Sequence, residues 1–301
     1  MRTTKMRVVV TGATGRLGAT LAQELVIAGH AVSALSRSAL DVSDADAVKA
    51  VIGQLRPDAI VNCSAYNAVD AAEADPGSAF AVNTHGPAAL ADAAAAAGAL
   101  LVHYSTDFVF DGRATEPYTE DAATNPLNVY GASKLAGEQE VRRLGQHYVI
   151  RVASLFGGRA AGPSATVDFI ARTLAAGLPV RALVDRSVTP SYVSDVVRVT
   201  RTLIQQAAPY GTYHCVASGT TTWYELALEI AGYLNVPPTR VVPVPCSEFL
   251  SAAPRPRHCA LSNRKLIVFG LDMPTWRATI VRHLRTCRNA RRERTLQVRS
   301  A

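Results

Sequence analysis

Little in this chain could cross-link it or anchor it. Five cysteines (Cys63, Cys215, Cys246, Cys259, Cys287) are scattered through 301 residues with no C-x-x-C pair. That argues against a disulfide framework and a zinc ribbon, and suits a reducing compartment such as the cytoplasm. No apolar run reaches the roughly 20 residues that span a bilayer. "MRVVV" at residues 6–10 passes at once into glycine turns, so no leader-type apolar core is expected. Surplus positive charge is scarce except in one place. Of the net +7, seven arginines against the single acid Glu293 fall between Arg282 and Ala301, leaving 24 bases and 23 acids in residues 1–281. A nearly neutral body gives no footing for a nucleic-acid or membrane partner, and the basic end, residues 286–301, is expected to be a disordered, solvated tail.

What is present is an alternation of strands and helices. "MRVVV", "HAVSALSR", "DAIVNCSA", "LLVHYST" and "YVIRVASLF" read as strands. Helical patterns separate them, including an Ala-rich stretch over about 79–97. This order implies an α/β fold, a Rossmann-type doubly wound parallel sheet with ligands beyond the C-terminal strand ends. From about Phe156 proline-bearing segments such as "AAGLPV" and "NVPPTRVVPVP" break the pattern. The expected organisation is a dinucleotide-binding domain over 1–155 with a return segment near 186–216, and a smaller mixed substrate lobe from 156–185 and 217–285.

"TGATGRLG" sets Gly12, Gly15 and Gly18 between a strand and a helix. Gly12 permits the tight turn, Gly15 lets a pyrophosphate approach the free N–H groups of the helix start, and Gly18 allows close helix–strand packing. After the second strand stand Ser36 and Arg37 where an acid would hold the ribose hydroxyls of NAD. A guanidinium suits a 2′-phosphate, so NADPH is the expected cofactor, with NADH possible. Asp41 and Val42 are placed to flank the adenine.

"NVYGASKLAGEQE" puts Tyr130 four residues before Lys134, on one face of a helix. A phenol with a pKa of about 10 is a poor acid–base group near neutrality, and a neighbouring ammonium would lower it. Thr106 ends the strand "VHYST" and is expected to hold a substrate oxygen while Tyr130 delivers a proton. The i,i+4 pair alone is a weak pattern; its weight comes from the glycine turn upstream.

On those residues the chain resembles the extended short-chain dehydrogenase/reductases, and within them the dTDP-4-dehydrorhamnose reductase family. The segments that carry the likeness are "VNCSAYNAVDAAE", "HYSTDFVFDG", "PLNVYGASKLAGE", "GTYHCVASGTTTWYELA", "APRPRHCALSNRKL" and "MPTWR". The resemblance implies reduction of the 4-keto group of a dTDP-4-keto-6-deoxy sugar by a monomer or homodimer. It implies that Gly15, Arg16 and Leu17 touch the pyrophosphate and that Asp41, Val42, Ala65, Tyr66 and Asn67 line the cofactor. Thr106 and Asp107 would meet the sugar, Tyr130 would be the proton donor, and Lys134 its partner and a hold on the nicotinamide ribose. Arg255 and Arg257, around Pro256, are candidates to grip the diphosphate.

Three departures stand out. A family tryptophan is replaced within "RVASLF" by Ser154 or Leu155, which points to a changed sugar wall. Ala19 and Thr20 stand where some members carry a metal-bridging glutamate, so no metal is expected. The family run "D-Q-x-G" becomes "DRSVTPS", with Arg186 as a local substitution or a sugar contact. A dehydratase would need a second acid after Thr106 and Asp107, where Phe108 stands. An epimerase, or a regulatory subunit like that of methionine adenosyltransferase, remains an alternative. His85, His103 and His214 read as packing residues, as do Trp223 and Trp276.

Overall fold

The computed structural model describes residues 5–158, 165–206 and 208–299, with side chains through 289. In chain order, β1 is Arg7–Thr11, α1 Arg16–Ile27, β2 Ala31–Leu35, α2 Ala45–Leu55 and β3 Ala59–Asn62. Next come α3 Val69–Ala74, α4 Pro76–Phe80, α5 Gly86–Ala97, β4 Leu100–Thr106, α6 Val129–Arg142 and β5 His147–Val152. The second half holds α7 Thr166–Ala175, β6 Val180–Leu183, β7 Ser187–Val188, α8 Val193–Gln206 and β8 Gly211–His214. It closes with β9 Thr221–Thr222, α9 Trp223–Leu234, β10 Val241–Val244, α10 Arg264–Val268 and α11 Trp276–Arg299.

Six strands form one parallel sheet in the order β2-β1-β3-β4-β5-β8. Val8 and Val10 of β1 face one apolar layer with Leu21, Leu25, Val196 and Val199. Val9 faces the other, with Val48, Ile52, Leu90 and Ala94. Covering both faces is what lets β1, β3 and the first half of β4 carry consecutive apolar residues without alternation. The strand order reverses between β1 and β3, so the crevice for a ligand opens where Thr11 and Asn62 end those strands.

A separate cluster packs α7, α9 and α11 around Ile170, Leu174, Leu226, Ile230, Trp276 and Ile280, beside the short parallel pair β6 and β10. Its helix α9 starts on a complete capping box, Thr222 with Glu225. The expected Ala-rich helix is two helices, α4 and α5, joined by a π-helical turn over Ala81–His85. The tail expected to be disordered from 286 instead continues α11 to Arg299. No glycine or proline interrupts the sequence after Pro274, so nothing local stops the helix. Among the described residues no helix is long and apolar enough to cross a membrane.

Candidate active site

The glycine turn occupies the crevice. Gly12 has φ +61°, and a Cβ there would stand 2.7 Å from the backbone of Cys63 and Ser64, so glycine is required by both conformation and space. Gly15 is the N-cap of α1 with no side-chain cap, leaving the first N–H groups of the helix to an anion. Gly18 and Leu17 are buried in the α1 interface, so only the backbone of Leu17 is available to a pyrophosphate. The Arg16 guanidinium donates to the Gly157 carbonyl at 2.8 Å and lies 3.5 Å from Asp168 on α7. It thus ties the glycine turn to the second cluster.

Beyond β2, Arg37 is 83% exposed and pairs at 3.2 Å with Asp41, a contact that water screens and a 2′-phosphate could replace. Hydrogen bonds from Ser43, then Arg37, hold the Asp41 carboxyl below its usual range. Val42 is buried against Gly86 and is a packing residue on this edge. After β3, Tyr66 is clamped through its backbone: its N–H donates to Asn83 Oδ1 at 2.9 Å, and Asn83 Nδ2 donates to its carbonyl at 3.1 Å. Asn83 also reaches Ser133 on α6 at 3.0 Å. It sits in the π-helical turn, a kind of insertion that often serves a site, and sequence patterning passed over it. Ala65 is half-buried and Asn67 exposed on the same loop.

Helix α6 carries the reactive pair. Asn128 caps it, accepting from Gly131 N–H at 2.7 Å and donating to the Pro254 carbonyl at 2.8 Å. Gly131 lets the helix lie on the segment after β4, because a Cβ would come within 2.2 Å of the Phe108 carbonyl. The half-buried Tyr130 therefore meets the Phe108 ring edge-on at 5.9 Å, and its hydroxyl donates to Asn67 at 3.4 Å. Burial raises its pKa to about 12, against a lowering hydrogen bond with Thr106, and the Asp107 charge adds to the rise. Thr106 donates to Asp107 at 3.0 Å. Burial pushes the Asp107 carboxyl up to about 6, while Thr106 and then Arg186 pull it down.

Lys134 departs from expectation. Its ammonium is buried, donates to the Tyr104 carbonyl at 2.6 Å and lies 3.3 Å from His103 Nε2. The phenol is not lowered by it; burial dominates and the ammonium is committed to β4. Burial lowers the Lys134 pKa to about 8, with Glu138 raising it. His103, read from sequence as packing, is the middle of a buried polar chain. Thr11 donates to Asn62 at 2.8 Å, and Asn62 Nδ2 lies 3.1 Å from His103 Nδ1. Burial, then Lys134, holds His103 well below its usual pKa, hence neutral. Asn62 Nδ2 and the ammonium are both donors, so a neutral imidazole accepts from one of them at a time.

Next to Asp107 and Phe108 opens a cavity of about 370 Å³, bounded also by Ser154, Arg186, Trp223 and Arg255. Ser154, one of the two residues in the run where the family tryptophan was expected, lines the wall with φ +46°, a conformation rare outside glycine. Trp223, expected to be packing, stands on this wall as well, whereas Trp276 is fully packed. Arg255 reaches the cavity but forms a bidentate pair with Asp70 of α3, at 2.8 and 2.7 Å. Arg257 is exposed and lies outside the lining of this cavity. At the lobe junction Asp168, His283 and Cys287 bring three donor atoms within 4.8 Å of one another. His283 and Asp168 form an ion pair at 2.6 Å. Burial lowers the imidazole pKa, but bonds to Asp168 and Cys287 outweigh it and raise it to about 9.

A doubly wound sheet, an uncapped glycine turn at its switch point and a Thr/Tyr/Lys set beside a cavity define an NAD(P)-dependent oxidoreductase of the extended short-chain class. Comparison with known proteins narrows this. Residues 6–289 match the family model described as the RmlD substrate binding domain. A dTDP-4-dehydrorhamnose reductase of Streptomyces griseus is 39% identical over 281 residues, 91% of each chain. One from Burkholderia thailandensis is 34% identical over 292 residues, 91% of this chain and 97% of that one. The crystal structure of the Bacillus anthracis dTDP-4-dehydrorhamnose reductase in complex with NADP superposes with a TM-score of 0.87 at 34% identity, covering 93% of this chain and 99% of that one. The chain belongs to the RmlD family of dTDP-4-dehydrorhamnose reductases.

Proposed function

We propose that the protein uses NADPH to reduce the 4-keto group of a dTDP-4-keto-6-deoxy sugar, with dTDP-4-dehydro-L-rhamnose as substrate and dTDP-L-rhamnose as product. The observation that carries this reading is the placement of Tyr130: its ring meets Phe108, its hydroxyl donates to Asn67 on the cofactor-side loop, and the Thr106–Asp107 pair stands at the adjoining cavity wall. The phenol is protonated throughout the neutral range and so holds the proton that carbonyl reduction consumes, although at about 12 it is a weaker acid than a free phenol. The residues fit the cofactor: the uncapped start of α1, Gly12 and Gly15 suit a pyrophosphate, and the exposed Arg37 suits a 2′-phosphate. When bound, NADPH supplies the hydride that the carbonyl carbon receives. Tyr130 gives its proton to the carbonyl oxygen, Thr106 orients that oxygen, and Lys134, which gives one of its three ammonium hydrogens to Tyr104, has donor capacity left for the nicotinamide ribose.

The enzyme acts as a monomer or homodimer in the cytoplasm, a reading supported by its five free cysteines. The test is NADPH consumption by the purified protein with enzymatically generated dTDP-4-keto-6-deoxy-L-mannose. NADH and the D-gluco ketosugar serve as controls. Tyr130→Phe is expected to lower kcat about 10²- to 10⁴-fold with NADPH binding unchanged. Tight NADPH binding with no oxidation by the wild type would refute the assignment.

A further inference from the structure

Three arginines line the cavity, and their partners differ. Arg255 is spent on Asp70 through two hydrogen bonds. Arg181 is paired with Glu248 and lies over the Phe249 ring at 5.5 Å. Arg186 has Phe108 at 5.9 Å from its guanidinium carbon, and its Nη2 is buried without a hydrogen-bond partner. Among the described cavity arginines it is the one with such an orphaned buried nitrogen.

A guanidinium stays charged at any pH the protein meets, and a buried N–H without an acceptor carries an uncompensated desolvation cost that is larger for a charged group. Asp107 is the main compensating charge, yet its own carboxyl sits at about 6 and is engaged by Thr106. The cavity therefore holds a half-buried cation with donor capacity to spare, on the same lining as Asp107 and Phe108. The substrate group that matches it is an anionic oxygen, which charge-assisted hydrogen bonding favours over a neutral hydroxyl. A nucleoside diphosphate sugar brings such oxygens in its diphosphate bridge.

We propose that Arg186 is the residue that grips the substrate's diphosphate, in place of Arg255 and Arg257, and so sets the depth at which the sugar enters. This rests on the nucleotide-sugar reading given above. Arg255 then acts as a strut from the cavity wall to α3, and Arg257 stays in solvent. Because a guanidinium can present two parallel N–H groups to a phosphate and an ammonium cannot, lysine at this position recovers charge but not geometry.

The experiment is calorimetric titration of dTDP, UDP, GDP and thymidine into the wild type, Arg186→Gln and Arg186→Lys, at low and high salt. NADPH affinity serves as the check that each variant is folded. Arg186→Gln is expected to weaken dTDP about 10- to 100-fold and to flatten its salt dependence, with thymidine binding unchanged. Arg186→Lys should recover part of the loss. Equal dTDP affinity in wild type and Arg186→Gln, with only the KM for the ketosugar raised, overturns the assignment and moves Arg186 to the sugar. If the wild type binds UDP or GDP in place of dTDP, the thymidine reading fails. Arg186 is then judged on the diphosphate that does bind.

Discussion

Replacing Glu138 with glutamine removes one charge from the most deeply buried ion pair of the sheet domain. Glu138 is 0% and Arg151 1% exposed, and two hydrogen bonds of 2.9 and 2.8 Å join them from α6 to β5. Arg142, 36% exposed, adds a third contact at 2.7 Å. Taking the carboxylate away leaves the Arg151 guanidinium with the Phe110 ring, 5.0 Å off, and His214, 3.3 Å off, neither of which neutralises it. Orphaning a buried charge costs about 3–5 kcal/mol. For a chain of this size that lowers the melting temperature by on the order of 10 °C. The double variant Glu138→Leu, Arg151→Met removes both charges and should recover most of that loss. A second consequence concerns function. Glu138 is the largest influence opposing the burial that brings Lys134 down to about 8. Without it the ammonium is lost at lower pH, so the alkaline limb of kcat/KM should move down in the single and the double variant alike. Thermal melts and a pH series of NADPH consumption read the two effects separately. A single variant as stable as the double would refute the buried-pair argument, and an unmoved alkaline limb would refute the coupling to Lys134.

Two further outcomes follow from the geometry. Gly12→Ala forces a Cβ to 2.7 Å from the Cys63 backbone at φ +61°, so NADPH affinity should fall at least about tenfold in a fluorescence titration, with a lower melting temperature; unchanged affinity would mean that the turn is not the pyrophosphate site. His283 is raised from 6.5 to about 9 in the folded state. Its contribution, on the order of 3 kcal/mol, is therefore whole below pH 6.5 and lost as pH rises through 9. Urea unfolding at pH 6.5 and 9.5 should show that loss in the wild type and not in Asp168→Asn; a flat wild type would sink it.

The strand–helix alternation, the glycine turn and the Tyr130/Lys134 spacing were legible in the sequence because each is a local pattern. A strand's apolar run, a turn's need for φ > 0 and an i,i+4 helix pair are all set within a few residues. The end of the chain misled in the same terms: its charge suggested a solvated tail, while its lack of helix breakers allows α11 to run to Arg299. What only the tertiary structure decided are the partners. His103 looked like packing until β4 and α6 brought it against Lys134, 31 residues away. The sequence offered Arg255 for the diphosphate without showing that the fold lays it on Asp70, 185 residues away, and leaves Arg186 with the unmet hydrogen bond. No period or spacing encodes such contacts. A side chain's charge is written in the sequence, but whether that charge is spent or free depends on what the fold sets beside it and on how much water it removes.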